Sequence, residues 1–296
     1  MAMQAAKMNH SDSGDPKDVL SRKDFLRLSA FIHDECGIKI TDGKKVMIEA
    51  RFQKRLRALG KETFGDYCAY LFSPEGMEHE LHHMIDAVTT NKTDFFREPS
   101  HFEFLADTVL PEMTATRRSG MGKKLMVWSA GCSTGEEPYT LAMVINEFAE
   151  KYAGCGFAWS VLATDISTRV LEKARQAVFD RERVIPIPDP LKRKYLLKSK
   201  DRDRGLVRVI PELRQMVCFR RLNFMDEDFG FREMIDVIFC RNVIIYFDRP
   251  TQTKLLNKFY RQMVPGGYLF MGHSETLHGL DVPLVQVTPT VYRKPT

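Results

Sequence analysis

Residues Leu125-Met126-Val127-Trp128-Ser129 run directly into Ala130-Gly131-Cys132-Ser133-Thr134-Gly135-Glu136-Glu137-Pro138, and this junction decides the fold. A short apolar run, a glycine-marked break and then a long periodic apolar segment to Lys151 predict a strand, a turn and a helix. A turn of that kind aims backbone N–H groups and the positive end of the helix dipole at whatever lies above it, which suits an anionic group such as a carboxylate. Taken alone, a glycine bend after a strand is equally a plain structural turn.

Outward from this junction the same alternation continues. Strands are predicted at 125–129, 160–164, 216–221, 235–240 and 267–271, with helices at 136–151, 167–176 and 250–263 between them. Strands alternating with helices predict an α/β domain, Rossmann-like, with a mainly parallel sheet covered on both faces. Segments 284–287 and 291–293 read as a closing hairpin, and the Pro-rich, charged stretch at about 180–216, with a short strand at 205–209, reads as an inserted subdomain. Before residue 89 the pattern is helical only. Phe25, Leu28, Phe31 and Ile32 mark one helix; Val46, Ile48, Phe52, Leu56 and Leu59 mark a second that Gly60 ends. Ser73-Pro74-Glu75-Gly76 then precedes a helix through Leu81, Met84 and Ile85. The expected organisation is a disordered 1–16, an all-α domain at 17–88 and a catalytic α/β domain at 89–296.

Bulk properties agree with two ordinary globular domains. The 296 residues are 44% apolar and 28% charged, with no run able to span a bilayer and no apolar core of a secretory leader at the start. A cytoplasmic location is expected. Cys36, Cys68, Cys132, Cys155, Cys218 and Cys240 are scattered singly, the pattern of free thiols rather than of a disulfide frame or zinc knuckle. The net charge of +5 is small for the length, so no nucleic-acid partner is expected.

The second predicted strand ends in Ala163-Thr164-Asp165-Ile166, and an acid at that tip is what a ribose diol needs as a bidentate acceptor. Glu136 and Glu137 stand where a pyrophosphate would sit, so charge repulsion disfavours a dinucleotide. A sulfonium cofactor, being positive, is not repelled. The two glutamates also suit the first turn of any helix.

Two further segments are placed to meet over that cofactor. One is Thr89-Thr90-Asn91-Lys92-Thr93-Asp94-Phe95-Phe96-Arg97-Glu98; the other, Cys240-Arg241-Asn242-Val243-Ile244-Ile245-Tyr246-Phe247-Asp248, follows the fourth strand at the carboxyl end of the sheet. Asn91 and Thr93 would equally cap a helix, and Tyr246 would equally be a core residue with a satisfied hydroxyl. For methyl transfer, a glutamate carboxylate is already ionised at neutral pH and needs no general base, so position and electrostatics carry the catalysis. Arg97, a planar cation able to grip a carboxylate, and Tyr246, a donor, fit that task. An enzyme methylating nucleic-acid amino groups would usually carry N-P-P-Tyr after the fourth strand, where this chain has R-N-V-I-I-Y.

Together these residues are similar to the CheR family of receptor glutamate methyltransferases. The shared runs are T-T-N-K-T-D-F-F-R-E, W-S-A-G-C-S-T-G-E-E-P-Y, A-T-D-I-S-T-R-V-L-E-K-A-R, C-R-N-V-I-I-Y-F-D and G-G-Y-L-F-M-G-H-S-E. The resemblance implies a helical receptor-recognition domain joined to a methyltransferase domain with a small antiparallel β-subdomain. It implies S-adenosylmethionine as cofactor, S-adenosylhomocysteine as product and the cytoplasmic helices of a methyl-accepting chemoreceptor as partner; a monomer is expected. It places cofactor contacts at Asn91, Thr93, Arg97, Glu137, Asp165, Asn223, Phe224, Arg241 and Asn242, to which the bend itself adds Gly131. Arg97 and Tyr246 fall beside the transferred methyl. In relatives that dock on a receptor tail, a glycine-containing loop precedes G-L-V-R-V; here Lys198-Ser199-Lys200-Asp201-Arg202-Asp203-Arg204 stands there, which leaves tail tethering open.

The second helix is basic: Lys44, Lys45, Arg51, Lys54, Arg55, Arg57 and Lys61 surround the single acid Glu49. Arg51, Lys54 and Arg55 share one face, with Arg57 nearby, and the resemblance implies that this helix meets the receptor's acidic methylation region. A solvated face would look the same. His79-Glu80-Leu81-His82-His83 matches H-E-x-x-H, but no third ligand follows, so an exposed imidazole-rich helix is expected there and no metal site.

Overall fold

The computed structural model describes residues 19–117, 119–151, 156–201 and 205–296. The expectations for 1–16, for Cys155 and for Arg202, Asp203 and Arg204 lie outside the described residues. Two compact units emerge, one formed by the described residues to Phe31 together with Ile40–Val88, the other by Ile32–Lys39 and Thr89–Thr296.

The first unit is helical: α1 (Arg22–Cys36, shared with the second unit at its end), α2 (Lys45–Leu59), α3 (Phe64–Leu71), α4 (Pro74–His79) and α5 (Leu81–Val88). The punctuation read from sequence has a direct physical form. Gly60 ends α2 in a left-handed conformation at φ 62°, and its N–H turns back to Arg57 O. Thr63 and Ser73 cap α3 and α4 by accepting from Asp66 N and Gly76 N, and Pro74 opens α4, where its missing N–H costs nothing. Apolar residues at helical spacing, Ile48, Phe52 and Leu56 on α2 and Tyr67, Cys68 and Leu71 on α3, are the buried ones.

The second unit begins with α6 (Pro99–Phe104), a π-helical turn at Leu105–Val109 and α7 (Leu110–Arg117). Then come β1 (Leu125–Ala130), α8 (Glu136–Glu150), β2 (Trp159–Asp165), α9 (Thr168–Gln176) and β3 (Val178–Asp180). The chain continues through α10 (Asp189–Tyr195), β4 (Leu196–Lys198), β5 (Leu206–Val209), α11 (Pro211–Gln215), β6 (Val217–Arg221) and β7 (Ile235–Cys240). It closes with α12 (Arg249–Gln262), β8 (Met263–Met271), β9 (Val285–Thr288) and β10 (Val291–Arg293). The main sheet has the order β6-β2-β1-β7-β8-β10-β9. Its first five strands are parallel, and β10 pairs antiparallel with both β8 and β9. The order reverses between β1 and β7, and the carboxyl ends of those strands frame the crevice where doubly wound folds bind ligands. A separate antiparallel sheet, β3-β5-β4, forms the inserted subdomain.

Strand alternation separates the core into two layers. Leu125 and Val127 of β1 and Val237 and Phe239 of β7 belong to one apolar cluster, while Trp128, Ala130, Ile238 and Cys240 belong to the other. Trp128 anchors the second layer: it is fully buried, its indole N–H donates to Thr164 Oγ1 at 2.9 Å, and Phe231 and Phe259 meet its ring edge-on at 4.7 and 4.9 Å. Two rigid faces therefore hold the strand ends that carry the site.

Candidate active site

The bend after β1 folds against the tip of β2. Gly131 N and Cys132 N both donate to Thr164 O, at 2.8 and 2.9 Å. Gly131 has φ 85°, and a Cβ there would sit 2.6 Å from Val243, so neither the dihedral nor the space admits a side chain. Asp165, 8% exposed, accepts Ser133 N through Oδ2 and Ser167 N through Oδ1, both at 2.9 Å. Its carboxylate thereby ties the β1 bend to the start of α9. Ser133 Oγ donates to Asn91 O at 2.9 Å, which brings the segment before α6 onto the same bend.

The two glutamates of the bend have separate surroundings. Glu136 is buried, accepts Thr134 Oγ1 at 2.7 Å and pairs with Arg183 at 2.5 Å; burial pushes its carboxyl up, against the opposing pull of Thr134 and Arg183. Glu137 accepts Ser129 Oγ at 2.7 Å and lies 3.6 Å from Arg241 Nη1. Burial pushes its carboxyl up as well, opposed chiefly by Arg241.

Arg241 is the organising cation. Its side chain is 2% exposed, lies 3.3 Å from Glu98 Oε2 and 3.6 Å from Glu137 Oε2, donates to Arg97 O, and covers the Phe102 ring at 5.3 Å. A guanidinium buried that deeply persists only when carboxylates and acceptors surround it. By holding the Arg97 carbonyl it fixes the 91–98 segment over the carboxyl ends of β1 and β7. That segment bends sharply: Phe96 and Glu98 both have left-handed φ, 51° and 56°.

The 241–246 loop is held from the other side by Glu275. Its carboxylate, 4% exposed, accepts Asn242 N at 2.8 Å, Val243 N at 2.9 Å, Ile245 N at 3.4 Å and Gly272 N at 2.7 Å. Burial raises its carboxyl, and the four backbone bonds work against that rise. Asn242 Oδ1 is buried with no hydrogen-bond partner, an acceptor at the rim.

Of the residues expected from sequence, Asn91, Thr93, Arg97, Gly131, Glu137, Asp165, Arg241 and Asn242 converge on this rim through these bonds; Thr93 O accepts from Arg183 Nη2 at 3.0 Å. Tyr246 is half-buried in the turn Ile244–Tyr246, where its carbonyl accepts Lys39 N at 2.8 Å. Asn223 and Phe224 follow β6, also at the carboxyl edge. The Asn223 amide donates to Glu35 O at 2.6 Å, and the Phe224 ring packs inward against Phe259 at 5.7 Å and Trp128 at 6.3 Å. Glu98 and Glu275 were missed as site residues, although both lie in quoted motifs, R-E and G-H-S-E.

In the helical unit Arg55 grips the buried Glu80 with both arms, 2.8 and 2.6 Å, and Tyr67 donates to the same carboxylate at 3.1 Å. Arg51 donates to Val88 O at 2.6 Å and Ala87 O at 3.3 Å. Lys54 and Arg57 are exposed. The H-E-x-x-H stretch is no zinc motif: α4 ends at His79, α5 begins at Leu81, and Glu80 between them is committed to Arg55. His82 and His83 are half-buried with rings 3.9 Å apart, less exposed than expected.

The rim thus has the chemistry of a cation site: Asp165, Glu137 and Glu98 set around a glycine bend, with an orphan amide oxygen. A positively charged sulfur donor fits it, and a pyrophosphate does not. Comparison with known proteins points the same way. Residues 91–292 match "CheR methyltransferase, SAM binding domain" and residues 23–89 match "CheR methyltransferase, all-alpha domain". A chemotaxis protein methyltransferase of Borreliella burgdorferi is 40% identical over 93% of this chain and 95% of its own. That of Escherichia coli K12 is 40% identical over 93% of this chain and 91% of its own, and chemotaxis protein methyltransferase 2 of Pseudomonas aeruginosa 38% identical over 92% and 93%.

Proposed function

The chain belongs to the CheR methyltransferase family, an S-adenosylmethionine-dependent methyltransferase of chemotaxis, and from that premise we propose that it esterifies glutamate side chains on the cytoplasmic helices of a chemoreceptor. The observation that carries this reading is the pairing, at one rim, of carboxylates suited to a sulfonium with Arg97, the cation an incoming glutamate requires. Bound S-adenosylmethionine supplies a methyl group on a cationic sulfur.

In this reading Asp165 accepts the ribose hydroxyls. The N–H groups of Gly131, Cys132, Ser133 and Gly135 are already taken by Thr164 O, Asp165 and Cys132 O, so the bend serves the cofactor by its shape rather than as the expected set of donors to a carboxylate. Glu137 and Asn242 Oδ1 complete the acidic, acceptor-rich wall. Arg97 orients the glutamate oxygen in line with the methyl carbon and Tyr246 donates to the second oxygen. No proton leaves the substrate, because the nucleophile is already ionised. The glutamate oxygen gains the methyl as the carbon–sulfur bond breaks, giving the ester and S-adenosylhomocysteine. Each transfer removes one negative charge from a receptor helix. Lys54 and Arg57, exposed on α2, offer charge complementary to acidic receptor helices; Arg51 and Arg55 serve that helix by holding the unit's own structure. The enzyme works as a monomer in the cytoplasm, and among the described residues no helix is long and apolar enough to cross a membrane.

The test is transfer of methyl-labelled cofactor to membranes bearing native receptors. Label released as methanol in mild base supports the ester. Base-stable label, or label on RNA, defeats the reading.

A further inference from the structure

We propose that Glu98, His101 and His273 form a binding site for a divalent cation of zinc's class. Beside Arg241, at the edge of the rim to which Glu98 already contributes, these three side chains bring one ligand atom each within 4.8 Å of one another. Two of the atoms are orphans: Glu98 Oε2 and His101 Nδ1 are buried, have no hydrogen-bond partner, and lie 3.4 Å apart.

The imidazole tautomer makes that pairing chemically unsatisfied. With the Thr290 hydroxyl donating to Pro289 O at 2.7 Å, its oxygen accepts from His101 Nε2, 2.8 Å away, in the tautomer that carries the ring proton there. The lone pair of Nδ1 then faces a carboxylate lone pair with no hydrogen between them. Two acceptors in buried contact repel each other unless a cation joins them.

Geometry favours a metal ion over a larger cation. Zinc bonds to nitrogen and oxygen of about 2.0–2.2 Å in a tetrahedral site place ligand atoms roughly 3.3–3.5 Å apart. The His101–Glu98 pair already has that spacing, and His273 Nε2 is 3.9 Å from Glu98 Oε2 on a ring that is 60% exposed. Thr290 occupies the outer position that fixes a ligating histidine's tautomer. Arg241 Nη2 lies 3.3 Å from Oε2 without a hydrogen bond to it, and the carboxylates of Glu98 and Glu137 outnumber its single charge. Three protein ligands leave a position for water. The ion would pin the Arg97–Glu98 bend to the loop after β8 that Glu275 anchors.

Calorimetric titration of chelator-treated full-length protein with Zn2+, and absorption spectra with Co2+, test the site. The expected result is one equivalent bound, visible Co2+ bands without a thiolate charge-transfer band, and affinity at least tenfold weaker in His273→Ala. That variant, altered at an exposed side chain, should keep the wild-type unfolding temperature in chelator. No binding at about 1 mM Zn2+, thiolate bands, or affinity unchanged by His273→Ala each overturns the proposal.

Discussion

Asn242 stands in a left-handed conformation, φ 60°, with its amide nitrogen 2.8 Å from Glu275 Oε2. Asparagine tolerates this region better than most residues, and the buried carboxylate fixes it there while holding three further amides of the same two loops. A glutamine in place of Glu275 would turn an NH2 toward backbone N–H groups. Glu275→Gln should therefore lose about 3 kcal/mol of stability in urea unfolding, at roughly 1.5–3 kcal/mol per lost bond to a charged acceptor, and bind S-adenosylhomocysteine more weakly.

Arg97 is tested by its geometry as well as its charge. Lysine keeps the charge and loses the planar fork, so Arg97→Lys should lower single-turnover methyl transfer by about tenfold or more, equivalent to ~1.4 kcal/mol of barrier. Product affinity should change less than the rate.

Arg55 and Glu80 predict a stability effect separate from chemistry. Glu80 is 1% exposed, and Arg55→Ala leaves its charge without a counter-ion, with the Tyr67 hydroxyl still donating to it, a loss of roughly 3–5 kcal/mol. Lys54→Ala, one position earlier and exposed, should stay within about 0.5 kcal/mol of wild type by the same unfolding measurement.

Asp248 caps α12 by accepting Thr251 N at 3.0 Å, and hydrogen bonding from Thr251, aided by His33 at 3.2 Å, holds its carboxyl below the usual range. Asp248→Ala should cost about 1 kcal/mol at pH 7. Because the folded value is the lower one, the contribution is complete above the unfolded pKa of about 4 and fades as pH falls through the folded value. The difference in stability between wild type and variant should therefore shrink in acid.

Elements with their own periodicity were legible in the sequence. β7 spans the expected residues and the α12 ends fall one position from expectation, because an apolar alternation or a proline-marked cap acts within a few residues of itself. β3, β4 and α10 carried no such signal: each has only 3 to 7 residues, and for the two strands pairing with β5 supplies the order. The site divides the same way. Gly131 and Asp165 were readable from position in the strand–turn–helix unit. Glu275 satisfies amides 30 to 33 residues away, a relationship no local spacing encodes. Phe224 was expected as a cofactor contact only through the family resemblance, and its ring faces a core defined by distant aromatics.

The central claim is that the Gly131 bend and Asp165 hold the cofactor. Calorimetry of S-adenosylhomocysteine with wild-type protein and Asp165→Ala tests it most directly. One site per chain, weakened at least tenfold by the substitution, is the predicted result; absence of binding to wild type, or equal affinity in both proteins, would contradict it.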